Sequence, residues 1–237
     1  MKNVLNFFFA LVITTAAFAQ VSESEKNALH DLYNSTHGDQ WTQKWDLNDE
    51  VANFPGVTVT NGHVTEIRML FNNLTGFLPA SLSELTQLKV LELSFNKIGG
   101  GIPESLGNLQ HLQVLALNGN SINGAIPNSL GSLYELKQLH LSSNKLSGDL
   151  PSELNELANL EVFNVFDNDL SGQLPVGLAN NRNMREFIVA ENNFKKADEI
   201  SAVLLINSGN FIDLNENAIL NPTGKSIIAI ETSDDEN

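Results

Sequence analysis

Five histidines, two tryptophans and 28 carboxylates are the side chains with which this 237-residue chain could do chemistry. General acid–base work needs two titratable groups within reach of one substrate position, and a metal centre needs three or four donors at ligand spacing. His30, His37, His63 and His111 are scattered without such spacing, and His140 has no titratable neighbour at short range. Gly224-Lys225-Ser226 resembles the end of a phosphate-binding loop, but the glycine required five residues earlier is Ile219. There is no cysteine, which excludes disulfides, thiolate metal sites, a cysteine nucleophile and a lipid-modified cysteine. No catalytic residue, metal-ligand set or cofactor is expected. The net charge of −15 would repel phosphate backbones, so nucleic acid is not expected as a partner either.

The elements that could position anything else begin after a targeting segment. Lys2 is the only charge before Glu23, Val4 to Ile13 form an apolar run, and Ala17-Phe18-Ala19 supplies small residues at alternate positions. Residues 1–19 therefore read as a signal peptide, cleaved near Ala19 to leave a secreted or cell-surface chain beginning at Gln20. The run is short for a membrane span, and no later stretch approaches the length one needs, so membrane insertion of the mature chain is not expected.

Asn72, Asn96, Asn120, Asn144, Asn168 and Asn192 fall 24 residues apart, with Asn217 following at 25. Pro79, Pro103, Pro127, Pro151 and Pro175 keep the same period, as do Gly76, Gly100, Gly124, Gly148 and Gly172. Three residue types holding one period define repeats, each a unit that cannot bury its own leucines and must stack on its neighbours. The Leu91-x-Leu93 alternation predicts a short strand with one face buried. The asparagine ends the strand and can satisfy backbone groups of its own turn and of the next coil. Glycine permits the following bend, and proline fixes an extended outer segment.

Leu115-Ala-Leu117-Asn-Gly-Asn120-Ser-Ile122-Asn-Gly124-Ala-Ile126-Pro127 resembles the plant-type leucine-rich repeat, LxxLxLxxNxLxGxIPxxL. The resemblance covers residues 64–220 as seven repeats. It implies an α/β right-handed solenoid with a parallel β-sheet on the concave face. Residues 20–63 are similar to the family's N-terminal helical cap. Ser22 and Glu25 make a capping box, Ala28, Leu29, Leu32 and Tyr33 form an apolar stripe, and Gly38 is expected to close the helix. Trp41 and Trp45 are assigned to sealing the first coil, where many relatives carry a cysteine pair. The sixth repeat departs from the pattern after Phe194, and a helix is expected over residues 197–206. Residues 221–237 are expected to supply a closing strand through Ile227, Ile228 and Ile230, then an acidic tail.

Strand positions between the leucines alternate onto the concave face. The ligand-binding set expected there is Leu70, Phe71, Val90, Glu92, Phe95, Asn118, His140, Asn164, Phe166 and Ile188. Ser94, Ala116 and Ala190 are also expected to be exposed on it. Leu70, Phe71, Val90 and Phe95 form one apolar group, and Val162, Phe166 and Ile188 another. Either these are interaction patches, or the valines lie at a strand edge and Phe71 and Phe95 tuck into the core. The resemblance implies a non-catalytic recognition module for an extracellular protein or peptide, or for a polysaccharide. The alternatives are a structural or adhesive surface protein and an inhibitor of a secreted hydrolase. An ice-binding role would need a flat ladder of one polar residue type, and these positions are irregular.

Overall fold

The computed structural model describes residues 20–179 and 181–194. The leader, the helix expected over 197–206, the seventh repeat and the closing strand lie outside them. Helix α1 (Glu23–Ser35) opens the described chain. Ser22 Oγ accepts from the Glu25 backbone N–H while the Glu25 carboxylate accepts from Ser22, a reciprocal cap of two otherwise orphaned donors. Glu25 is buried, and its other oxygen accepts from Val64 N at 3.1 Å, which ties the start of the helix to the first repeat. The helix ends at Ser35 with Thr36 as its cap, two residues before the expected glycine stop. Gly38 is needed there for a different reason: a Cβ on it would sit 2.2 Å from the Tyr33 ring.

Two sets of strands follow. The first comprises β1 (Val57–Thr60), β2 (His63–Arg68), β4 (Val90–Glu92), β6 (Val114–Ala116), β8 (Gln138–His140), β10 (Val162–Asn164) and β12 (Glu186–Ile188). They form one seven-stranded sheet in that order. All neighbours are parallel except β1 and β2, which form an antiparallel hairpin. Its turn is Asn61-Gly62, both at positive φ, a sequence signal that could have announced the hairpin. The second set lies past each asparagine: β3 (Thr75–Phe77) with β5 (Lys97–Gly99), and β7 (Asn123–Gly124), β9 (Lys145–Asp149), β11 (Asp169–Gly172) and β13 (Asn193–Phe194) in a four-stranded sheet. The periodicity by itself gives no sign of this flanking ladder or of the 3-10 turns that follow Pro79, Pro103, Pro127 and Pro151, such as Glu104–Asn108. The repeating glycines all hold positive φ, as the bend into the outer segment requires.

The core is one continuous column of leucines, among them Leu91, Leu115 and Leu139, all fully buried at the same repeat position. At the N-terminal end the tryptophans close it. Trp41 and Trp45 are buried edge to face, with centroids 4.9 Å apart, and Trp45 stacks on Phe54. Each indole N–H has a carbonyl partner, Thr36 O and Pro55 O, both at 2.9 Å. Aromatic packing with satisfied N–H groups thus covers the first coil in a chain that has no cysteine.

Between coils runs the asparagine ladder. Asn96 Nδ2 donates to Met69 O and Leu93 O at 2.7 and 2.9 Å, and its Oδ1 accepts from Asn72 N and Leu74 N at 2.9 and 3.1 Å. Asn120, Asn144, Asn168 and Asn192 repeat this pattern, bonding within their own turn and to the preceding coil. The side chain spans groups that turn inward away from water, where an unmet amide costs more than a made bond contributes.

Candidate functional site

The concave face is built by parallel register. Glu66, Val90 and Val114 align across the sheet, as do Arg68, Glu92, Ala116, His140, Asn164 and Ile188. Of the expected set, Leu70, Phe71, Phe95 and Phe166 are exposed, and Glu92, Asn118, His140, Asn164 and Ile188 are half-buried on the face. Val90 is not available: it is 7% exposed, flanked in register by Glu66 and Val114. Ser94, Ala116 and Ala190 are buried too, and Ala116 lies in register between the larger Glu92 and His140. The Ser94 hydroxyl donates to Asn118 Oδ1 at 2.7 Å, so its role is to orient that amide.

Phe71 and Phe95 resolve the choice left open by the sequence. They are 68% and 47% exposed, and neither enters the core. Their rings stack in parallel, with centroids 4.6 Å apart and planes 3° from parallel. Both residues hold the left-handed backbone conformation, with φ of 50° and 57°. Gly119, Ser143, Asp167 and Glu191 occupy the same place in later repeats with the same sign of φ. The turn before each asparagine demands that conformation, which costs a side chain with a Cβ on the order of 1 kcal/mol. Two bulky rings are therefore kept where the backbone favours glycine and where little burial compensates. The Phe95 ring leans over Gly119, whose added Cβ would lie 2.7 Å from Phe95 Cδ1.

Beside the stack is a shallow depression of about 360 Å³. Leu70 and Phe95 form its apolar wall, Ala116 opens its floor, and Arg68, Glu92, Asn118, Gln138 and His140 are the larger polar side chains around it. Arg68, which the sequence reading left out of the binding set, organises the polar side. It bonds Glu66 at 3.0 Å and Glu92 at 2.5 Å, and these partners hold its guanidinium above the ordinary value despite partial burial. Phe166, Asn164 and Ile188 lie further along the face, beyond the coil of His140.

Burial pushes the His140 imidazole below its ordinary value, with the carboxylates of Glu186 and Glu92 opposing. His140 is then neutral at pH 7, and the unfolded chain takes up its proton at higher pH than the folded one. Stability is expected to fall as pH drops below about 6.5, until the folded group also titrates. His140→Asn should flatten that part of the slope in urea unfolding measured across this range. An unchanged slope would place its origin elsewhere. The ring Nε2 lies 3.4 Å from Gln138 Oε1, an amide that makes no acid–base couple with it. Among the described residues no group of three or more His, Asp or Glu side chains could hold a metal ion. Among them, too, no helix is long and apolar enough to cross a membrane.

A stacked-coil solenoid with an open parallel sheet defines a class of scaffold that offers an extended surface rather than an enclosed cavity. The chain belongs to the leucine-rich-repeat family, whose leucine-rich repeat region model matches residues 67–221. It is similar to the receptor protein kinase WSS1 of Oryza sativa subsp. japonica, at 37% identity over 89 residues, which are 36% of this chain and 9% of that protein. Among solved structures it resembles the ectodomain of the receptor kinase SOBIR1 from Arabidopsis thaliana, with 30% identity and a TM-score of 0.64. That match covers 74% of this chain and 96% of the ectodomain. It also resembles the ectodomain of the Arabidopsis thaliana membrane receptor kinase GASSHO1/SCHENGEN3, solved in complex with CASPARIAN STRIP INTEGRITY FACTOR 2. Identity there is 28% and the TM-score 0.68, over 72% of this chain and 21% of that one.

Proposed function

We propose that this protein is a secreted, non-catalytic recognition module that captures an extracellular protein or peptide on its concave face. The observation that carries the reading is the Phe71–Phe95 stack, exposed and held in a backbone conformation that disfavours it. Exposed apolar area beside a rim of polar groups is the usual mark of an interaction surface, and aromatic side chains are favoured anchors in one. The similar ectodomain of GASSHO1/SCHENGEN3 was solved with a bound factor, which supports the choice of a protein or peptide over a polysaccharide. Secretion is supported by the leader-like segment over residues 1–19 and by the extracellular nature of receptor-kinase ectodomains.

The test is a pull-down from the native extracellular milieu with residues 20–237 as bait, run beside a Phe166→Asp, Ile188→Asp double variant. Phe166 is 37% exposed and Ile188 half-buried on the open face, so the unfolding midpoint should stay nearly unchanged. Capture should fall at least tenfold, since two charges would replace apolar contact. Equal capture by both baits, or unfolding of the variant, would remove the face from the reading.

A further inference from the structure

The concave face carries two apolar stations separated by a polar stretch. The first is the depression walled by Leu70 and Phe95, and the second is the pair Phe166 and Ile188. The polar side chains of Asn118 and His140 form the side of that depression nearer the second station, and Ser142 follows just past the strand of His140. From Phe95 on the second coil to Phe166 on the fifth is three strand spacings, about 14 Å at ~4.8 Å each.

We propose that the occupant is an extended, basic peptide segment with one large apolar residue seated in the first station and a second, four residues later, in the other. This rests on the reading of the face as a capture surface for proteins or peptides. An extended chain advances ~3.4 Å per residue, so four residues cover about 14 Å. Extended side chains alternate, so residues four apart project to one side, whereas a spacing of three or five turns the second anchor away from the sheet. The residue midway between the anchors also faces the sheet and meets the polar stretch, which favours a small polar side chain there.

Charge decides the flanks. Arg68 is already engaged by Glu66 and Glu92, so the first station has no free cation to offer an acidic partner. At the second station Asp167 follows Phe166 directly and is exposed, and Glu186 shares the strand of Ile188. With a net charge of −15 on the chain, a cationic segment gains from the field over the whole surface. A second copy of the chain would bring the same negative charge, and a phosphate-rich surface would be repelled for the same reason.

The experiment uses the mature chain and synthetic peptides of one composition: a phenylalanine, a leucine, serines, and two lysines after the leucine. The leucine is set three, four or five residues beyond the phenylalanine. Fluorescence anisotropy should find the four-residue spacing at least about tenfold tighter than its isomers. Binding should weaken as salt rises, and be lost when glutamates replace the lysines. Phe166→Ser should erase the preference for spacing, with Leu70→Ser as an independent variant at the other station and unfolding midpoints as the folding control. Equal binding of the three isomers, undiminished binding of the glutamate peptide, or no binding of any peptide overturns the proposal. A native partner still captured in the pull-down would then show that the face works on other chemistry.

Discussion

Replacing Asn96 with alanine is expected to destabilise the protein by about 4 kcal/mol. Alanine removes five side-chain hydrogen bonds, but their loss is unequal. Leu93 O still accepts from Asn120, and Ser94 O still accepts from Phe71 N. The backbone N–H groups of Asn72 and Leu74 and the carbonyl of Met69 lose the bonds that Asn96 makes to them, in a place where Asn96 itself is nearly inaccessible to water. Three buried groups at about 1–3 kcal/mol each, less some relaxation, give the estimate. Because coils contact only their neighbours, the damage should centre on the junction of the first two. Urea unfolding read together with hydrogen exchange is the measurement, with Ser143→Ala on the exposed rim as a control expected within about 0.5 kcal/mol. A loss below about 1 kcal/mol would mean that water reaches these groups and that the ladder is decoration.

That ladder also marks how far the sequence could be read. The 24-residue spacing of Asn72 to Asn192 fixes strand, turn and stacking because a solenoid demands the same contact from every coil, so periodicity is itself the structural instruction. The capping box at Ser22 and Glu25 was legible for a similar reason: it is local, and both partners lie within one turn of helix. What escaped was set by context between coils. Strand alternation put Val90, Ser94 and Ala116 on the face, correctly as to side, but exposure depends on the size of the neighbours in adjacent coils. The Arg68–Glu92 pair joins residues 24 apart and becomes visible only when the register aligns Arg68 with Glu92. The hairpin of β1 and β2 is signalled locally by Asn61-Gly62, outside the 24-residue period. Phe71 and Phe95 could not be resolved at all from their type. A hydrophobic residue before the asparagine suits a core and a rim equally well, and only the backbone conformation separates the two.

The same backbone conformation yields the second large expectation. Phe95→Gly should cost at least about thirtyfold in affinity for the captured partner while leaving stability within about 1 kcal/mol. Glycine at this position is the solution the protein itself uses one coil later, at Gly119. It relieves a residue at φ 57°, worth on the order of 1 kcal/mol, and in exchange gives up the stack with Phe71, worth about 0.5–1.5 kcal/mol. Glycine's greater freedom in the unfolded chain adds a further ~0.5–1 kcal/mol against it, so the three together leave a net loss of roughly 0–1.5 kcal/mol, centred below about 1. Phe95→Ala separates strain from contact. It loses the same ring but keeps a Cβ at positive φ, so it should bind as poorly as the glycine variant and be less stable than it. The comparison is made by titrating the partner against all three proteins and unfolding each in urea. If Phe95→Gly instead lost several kcal/mol with affinity intact, the ring would be a structural element after all. If the ordering holds, the rim of this solenoid keeps an aromatic pair against the preference of its own backbone, and capture is what that pair is for.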